Sequence, residues 1–163
     1  MHSNSTHLQL LVNMTLTSWA AQNKYLNNLL ATFSDEQFAK EVAPGKNTGT
    51  YLVGHLIAVS DAMLPLLGLG NKHYPELENI FIKNPDKSGL EKPGMSVLKE
   101  QLKAVNAALD KHFNSLNVEE WFEPHTAVST EDFAKEPHRN KLNVVISRTN
   151  HMANHIGQLL LLK

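Results

Sequence analysis

Hydrophobic side chains recur at spacings of three and four residues in four stretches of the chain, a pattern that is typical of amphipathic helices. The stretches cover about residues 5–31, 49–67, 96–116 and 140–162. In the first, the positions predicted to be buried are Leu8, Leu11, Val12, Trp19, Leu26, Leu29, Leu30 and Phe33. In the last, they are Leu142, Val145, Ile146, Thr149, Met152, Ile156, Leu159 and Leu160. The pattern predicts four helices of roughly 20 residues each, and no convincing stretch alternates with the period of two that indicates a strand.

Capping and helix-breaking residues mark the ends of these helices. Thr48, Ser96 and Asn140 stand where the second, third and fourth helices begin, and each side chain can accept a hydrogen bond from the first helical turn. Pro65 lies near the end of the second helix, where it is expected to kink or shorten it. The sequence GLGN at 68–71 is expected to end that helix.

The four helices predict an all-α fold, a four-helix bundle in a single domain over residues 1–163. Two connections are long, at about 71–95 and 118–139. A helix of this size is roughly 30 Å long, and two dozen residues can run the whole length of the bundle. Helices 2 and 3 can therefore be parallel, joined by a long crossover.

Composition narrows the classes of partner. Hydrophobic residues make up 42% of the chain and charged residues 19%, as in an ordinary globular protein. Lys and Arg total 15 against 16 Asp and Glu, so no broad basic surface is expected to bind nucleic acid or an acidic membrane. The N-terminus does not resemble a signal peptide, and no run of the ~18 apolar residues needed to span a membrane is evident. We expect a cytoplasmic protein. Without cysteine, a metal would have to be bound by His, carboxylate or carbonyl groups.

Three histidines are the candidates for such a site. His151 and His155 are four residues apart in the fourth helix, so their side chains point the same way, at the edge of the apolar stripe. His55 in the second helix is expected to point into the bundle. Neutral imidazole is a common ligand of zinc and related metals, and three ligands would leave a coordination position open for water or substrate. The alternative is that these are hydrogen-bonded core or half-exposed histidines.

The motifs around these histidines resemble those of the DinB/YfiT-like superfamily of metalloenzymes. The sequence PGKNTGTYLVGH ends at His55, and HMANHIGQ, at 151–158, has the form HxxxHxGQ. The similarity covers essentially the full length of the chain. It implies that a divalent metal is bound by His55, His151 and His155. It also implies an up-down-down-up bundle and a homodimer.

The resemblance implies two kinds of reaction. Characterised members of the superfamily transfer or isomerise with low-molecular-weight thiols such as bacillithiol, mycothiol or glutathione, and others are regarded as metal-dependent hydrolases. An open-site metal lowers the pKa of water or of a thiol, so either can act as a nucleophile near neutral pH. We expect a small-molecule substrate and zinc or nickel as the metal, with iron and manganese as the other candidates. A non-catalytic, dimeric bundle with a structural or vestigial metal site is the alternative.

Two residues beside the histidines are candidate helpers. Arg148, one turn before His151, could bind a carboxylate of the substrate, or it could form a surface or interface salt bridge. Gln158, one turn after His155, could orient a ligand or simply be a polar edge residue. Tyr51 could line the pocket, since it lies one turn before His55.

The loop before the fourth helix and a few isolated residues have mostly structural interpretations. That loop contains His125, His138, Arg139 and Lys141 and could form a lid, and His125 could close the metal site as a fourth ligand. We expect a short helical turn at Glu131 and Asp132, with Pro137 ending it. Asp61 does not share the face of His55 and is not a candidate. Trp19 and Trp121 are expected in the core, or at an interface in the second case.

Overall fold

The computed structural model describes the backbone of residues 2–163 and side chains from residue 5 onward. Within that part of the chain the secondary structure is helical, and the only strand-like pairings are two isolated bridges, Glu41 with Thr48 and Pro124 with Asn140. The helices are α1 (His2–Thr32), α2 (Asp35–Phe38), α3 (Gly49–Asp61), α4 (Met63–Leu66), α5 (Glu76–Phe81), α6 (Met95–Phe113), α7 (Thr130–Lys135) and α8 (Lys141–Leu159). Short 3-10 turns cover Glu119–Phe122 and Leu160–Leu162. The predicted all-α class is confirmed.

The core lies where the long helices meet. α1 packs against α8, and α3 packs against α5, α6 and α8. α6 also contacts α1, since the ring of Phe113 packs edge-on against Trp19 at 6.4 Å. Trp19 and Trp121 are both buried, as predicted. α3 is therefore the central helix, and most of its residues are buried. A polar side chain that α3 directs toward α8, such as His55, is therefore at least partly buried.

The predicted N-caps are correct for two helices and wrong for one. Thr48 Oγ1 accepts a hydrogen bond from Tyr51 N at 3.2 Å, and Asn140 Oδ1 accepts one from Asn143 N at 2.9 Å. Ser96, however, does not cap α6. The helix begins at Met95 with Gly94 as N-cap, because Gly94 has the extended backbone that this position requires (φ −65°, ψ 160°). Ser96 consequently lies inside the first turn.

The second predicted helix is interrupted after Asp61. It continues only as the short α4, which begins at Met63. Pro65 lacks an N–H group and its ring would clash with the carbonyl of residue 61, four positions earlier, so a continuous helix is disfavoured there. The expected effect of this proline is confirmed. The third predicted helix is also shorter than expected, since α6 ends at Phe113 and not at residue 116.

The two long connections contain structure of their own. The first carries α5 and the second carries α7, which includes the helical turn predicted at Glu131 and Asp132. One segment, Gly49–Leu66, does have the length and mean hydropathy (1.2) of a candidate membrane span, contrary to the expectation that no segment reaches them. Within the protein, 72% of that segment is buried, as expected for a core helix.

Three hydrophobic residues predicted to be buried are exposed. Leu11 is 43% exposed, Ile146 37% and Leu160 43%. Leu11 and Ile146 line one small depression between α1 and α8 together with Met14, which is 62% exposed. The periodicity identifies the apolar stripe of each helix correctly. The stripe is wider, however, than the part of the helix surface that other described residues bury. An apolar strip therefore faces outward along α1 and α8.

Candidate metal centre

The structure brings the three candidate histidines together at the contact between α3 and α8. His55 comes from α3, and His151 and His155 come from successive turns of α8. His151 Nε2 lies 3.2 Å from His55 Nε2 and 3.0 Å from His155 Nε2. One nitrogen from each ring lies within 4.8 Å of the others, and all three residues are half-buried. The rings are steeply inclined to one another, with interplanar angles of 62°, 79° and 88°. Their edges, not their faces, meet at the centre.

The outer nitrogens of two rings are held by oxygen atoms. His55 Nδ1 donates to the backbone carbonyl of Phe81 at 2.7 Å, and His155 Nδ1 donates to Gln158 Oε1 at 2.7 Å. These oxygens accept hydrogen bonds, so each Nδ1 carries the proton. In a neutral ring the Nε2 atom is then left with a lone pair and no proton. His55 and His155 therefore both direct lone pairs at His151.

A glycine next to His55 permits this arrangement. The ring of Phe81 packs directly on Gly54, where an added Cβ would lie only 2.3 Å from a ring carbon. A larger residue at position 54 would push α5 away from α3. The glycine of the GH dipeptide is thus explained by close packing, which brings the Phe81 carbonyl within reach of His55.

Burial favours the uncharged form of His151 and His55. Desolvation, reinforced by the neighbouring His155, His55 and Arg148, lowers the pKa of His151 from its ordinary 6.5 to about 4. The pKa of His55 is lowered too, chiefly by burial, although its hydrogen bond to Phe81 opposes the shift. Neutral imidazoles are the form that binds metal ions. A neutral His151 carries at most one proton on Nε2, although this atom faces the Nε2 atoms of both His55 and His155. Its other nitrogen, Nδ1, is buried without a hydrogen-bond partner.

The spacing of these nitrogens fits a transition-metal ion. A tetrahedral zinc ion with bonds of about 2.0–2.1 Å holds its ligand nitrogens roughly 3.3–3.4 Å apart. An octahedral ion with bonds of that length holds adjacent nitrogens about 2.9 Å apart. The observed separations of 3.0 and 3.2 Å lie between these values. A cation at the centre would also turn facing lone pairs into ligand bonds. The donor set and these two separations are therefore compatible with a divalent metal, and no fourth His, Asp or Glu from the described residues joins the group.

The helper residues behave differently from one another. Gln158 Oε1 lies 2.7 Å from His155 Nδ1, a contact that restricts the orientation of this ring. Tyr51 stacks on His55, with ring centroids 6.4 Å apart and planes 10° from parallel, while its hydroxyl donates to the carbonyl of Asn84 at 2.7 Å. Arg148 is half-buried, and its Nε atom has no hydrogen-bond partner. Of the two salt bridges considered for Arg148, the surface one is not present among the ion pairs of residues 5–163, and the one at an interface stays a prediction.

The loop before α8 does not supply a ligand to the cluster. His125 is not part of the group of three, and its Nδ1 accepts a hydrogen bond from Ala127 N at 3.2 Å. Arg139 pairs with Glu136 at 3.3 Å, and Lys141 pairs with Glu123 at 2.8 Å. The loop is thus tied down by its own contacts, as the structural interpretation expected.

Two polar groups that matter here were not identified from the sequence. The first is the backbone carbonyl of Phe81, for which no side-chain pattern gives a signal. The second is Asp61, which lies outside the proposed ligand set and is only 1% exposed. Its two oxygens accept from His73 N at 2.9 Å and Tyr74 N at 2.8 Å, and so fasten the connection that leads into α5. Asp61 is the last residue of α3, and no local sequence pattern gives a signal for hydrogen bonds to residues 12 and 13 positions later.

Cavity size does not distinguish the cluster. Grooves of about 550 and 490 Å³ lie between α1 and α6, lined by residues such as Lys103 and Asp110, and they do not include the three histidines. The cluster is distinguished by its donor atoms.

The chain is similar to a known protein family. A sequence model of the DinB superfamily matches residues 18–159, a span that contains all three histidines and the long helices α3, α6 and α8. A search of curated proteins gives no significant match to the chain.

Proposed function

Because the chain belongs to the DinB superfamily and its three imidazoles converge, we propose that it is a metal-dependent enzyme acting on a small molecule. In this proposal His55, His151 and His155 bind one divalent transition metal. One observation carries the proposal: two of the three rings are held through Nδ1, so that their unprotonated Nε2 atoms face the third ring at 3.0–3.2 Å. Without a cation, that arrangement leaves lone pairs opposed.

The chain's own residues prepare the site in this proposal. The Phe81 carbonyl and Gln158 fix the orientation and tautomer of two rings, and such support typically strengthens metal binding by 10- to 100-fold. A bound divalent metal would supply a Lewis acid that lowers the pKa of water or of a thiol. The reaction class is transfer to or from a low-molecular-weight thiol, or hydrolysis. Since the chain has no cysteine, the thiol would come from a cosubstrate.

The metal is proposed to be zinc or nickel, with iron and manganese as the remaining candidates. Imidazole suits zinc, nickel and iron, and ligand geometry with cellular availability decides among them. The protein is proposed to act in the cytoplasm, on a small molecule and without nucleic acid or membrane. The proposal also includes one four-helix-bundle domain of up-down-down-up topology, in which α1, α3 with α4, α6 and α8 form the bundle.

The family expectation of a homodimer is kept as part of the proposal. Leu11, Met14 and Ile146 support it, because they form one exposed apolar strip on α1 and α8. Two of these three residues belong to the predicted buried faces of their helices. A second copy of the chain would cover side chains that the sequence pattern places in a buried environment.

Metal analysis of untagged protein tests the proposal. Wild-type protein should contain about one equivalent of a transition metal after purification or after incubation with zinc, nickel or manganese, and His155→Ala should contain almost none. His138→Ala is the matched control, because it removes an exposed histidine outside the cluster. The absence of metal from wild-type protein after every incubation would overturn the proposal. Equal metal in His155→Ala and wild type would overturn the ligand assignment.

A further inference from the structure

The chain has two arginines, and they differ in how their charges are neutralised. Arg139 lies near the surface and forms an ion pair with Glu136 at 3.3 Å. Arg148 is half-buried on α8, its Nε atom is inaccessible to solvent, and that atom has no hydrogen-bond partner. None of the ion pairs within residues 5–163 involves Arg148. Burying an N–H group of a charged side chain without an acceptor costs desolvation free energy. An acceptor from outside the chain would remove that cost for Arg148.

Helix geometry places Arg148 on the face of α8 that carries the histidines. Residues three and seven positions apart in a helix share one face, and these are the offsets from Arg148 to His151 and His155. The electrostatics agree with this placement. The charge of Arg148 is the smallest of the causes that lower the pKa of His55, on α3, and of His151, which is consistent with its place on this face of α8. Burial also lowers the pKa of Arg148 itself.

The position of the unpartnered Nε atom of Arg148 indicates which kind of acceptor would fit it. The Nε–H and one terminal N–H of a guanidinium form a fork along one side of the group, and this fork matches the two oxygens of a carboxylate. The carboxylate nearest in sequence, Glu136, is already paired with Arg139, and Glu123, at the start of the same loop, is paired with Lys141. The cluster consists of three imidazoles and contains no acidic group. A divalent metal beside Arg148 would make this region strongly positive, and an anionic substrate would neutralise it.

We propose that Arg148 binds a carboxylate of the substrate and thereby selects anionic over neutral substrates at the histidine site. This inference rests on the proposed function, since it names the substrate class for that metal centre. Arg148 is not a metal ligand in this proposal, so its replacement leaves metal content unchanged. The two proposals can therefore fail separately.

A pair of matched thiols tests the inference by binding alone. Cobalt(II)-loaded protein is titrated with 3-mercaptopropionate and with 3-mercaptopropan-1-ol, which differ only in having a carboxylate or a CH₂OH group. Binding is followed by the near-ultraviolet absorption of cobalt–thiolate. Wild-type protein should bind the carboxylate compound about tenfold more tightly, a difference typical of one charge-assisted pair. Arg148→Gln should reduce the ratio to about one, and Arg148→Lys should retain part of it.

Controls separate this inference from the metal site. Arg139→Gln should keep the wild-type ratio, since it removes the other arginine. Cobalt content is measured for each variant, and circular dichroism verifies its fold. Equal affinity of wild-type protein for the two thiols, binding of neither, or an unchanged ratio in a folded Arg148→Gln or Arg148→Lys protein would overturn the inference. Failure of wild-type protein to bind cobalt or any other metal would instead overturn the proposed function on which it rests.

Discussion

Two polar side chains on the same helix, α3, have opposite relations to their surroundings. Asp61 is almost completely buried, and both of its oxygens accept backbone hydrogen bonds, from His73 N and Tyr74 N. His55, six residues earlier, has one nitrogen satisfied by the Phe81 carbonyl. Its other nitrogen faces a nitrogen of His151 at 3.2 Å, with a lone pair and no proton to offer.

The difference separates a structural polar group from a binding site. A buried polar group whose bonds are all made holds the fold together and has no capacity left for a ligand. A cluster whose lone pairs face one another can still bind a ligand, because a cation between the nitrogens would replace their repulsion with ligand bonds. Burial alone does not mark a binding site; unused bonding capacity that several groups direct at one point makes that point a candidate for one. The same criterion distinguishes Arg148 from Arg139.

The largest expected effect contrasts the two groups in metal-free protein. Asp61→Ala should lower the free energy of unfolding by about 1–3 kcal/mol, because two backbone N–H groups lose their acceptor. His151→Ala should change it by less than about 1 kcal/mol, since the lost packing is offset by relief of the facing lone pairs. Urea denaturation in the presence of a chelator measures both. A larger loss for His151→Ala than for Asp61→Ala would show that the cluster is a structural element.

A smaller effect is expected from the residue that supports His155. Gln158→Ala should weaken metal binding by about tenfold, because the Nδ1–H of His155 loses the acceptor that orients the ring. Asn154→Ala is the matched control on the exposed side of α8. Competition titration against a colorimetric chelator gives both affinities. Unchanged affinity in Gln158→Ala would mean that Gln158 is only a polar edge residue.

The smallest effect concerns pH. The folded-state pKa of His151 is about 4, below its ordinary 6.5, so the unfolded chain binds a proton in this window that the folded chain does not. The stability contributed by the neutral ring is therefore present above pH 6.5 and is lost as pH falls toward 4. Metal-free wild-type protein should lose stability more steeply than His151→Ala between pH 6.5 and 5, as measured by urea denaturation. Parallel curves would contradict a lowered pKa for His151.

The parts of the fold that were predicted correctly depend on local backbone geometry. The four helical stretches follow from the spacing of apolar residues, and the caps at Thr48 and Asn140 from side chains that reach their own first turn. The interruption of the second helix follows from Pro65. Ser96 failed as a cap because Gly94 takes up the same conformation two residues earlier. Glycine and serine are both common at N-caps, so the sequence alone does not decide between positions 94 and 96.

The candidate site likewise has features that follow from local helix geometry and contacts that depend on tertiary packing. The i, i+4 spacing of His151 and His155 alone determined that they share one face of α8, because 100° per residue is a property of the helix itself. Only the tertiary structure decided that His55, 96 positions away along the chain from His151, meets them, since that contact depends on how α3 packs on α8. It also decided that the Phe81 carbonyl holds His55, that Arg148 lacks a carboxylate partner within residues 5–163, and that Leu11 and Ile146 face outward. Periodicity specifies which side of a helix is apolar, but the partners of a buried polar atom depend on the other elements that pack around it.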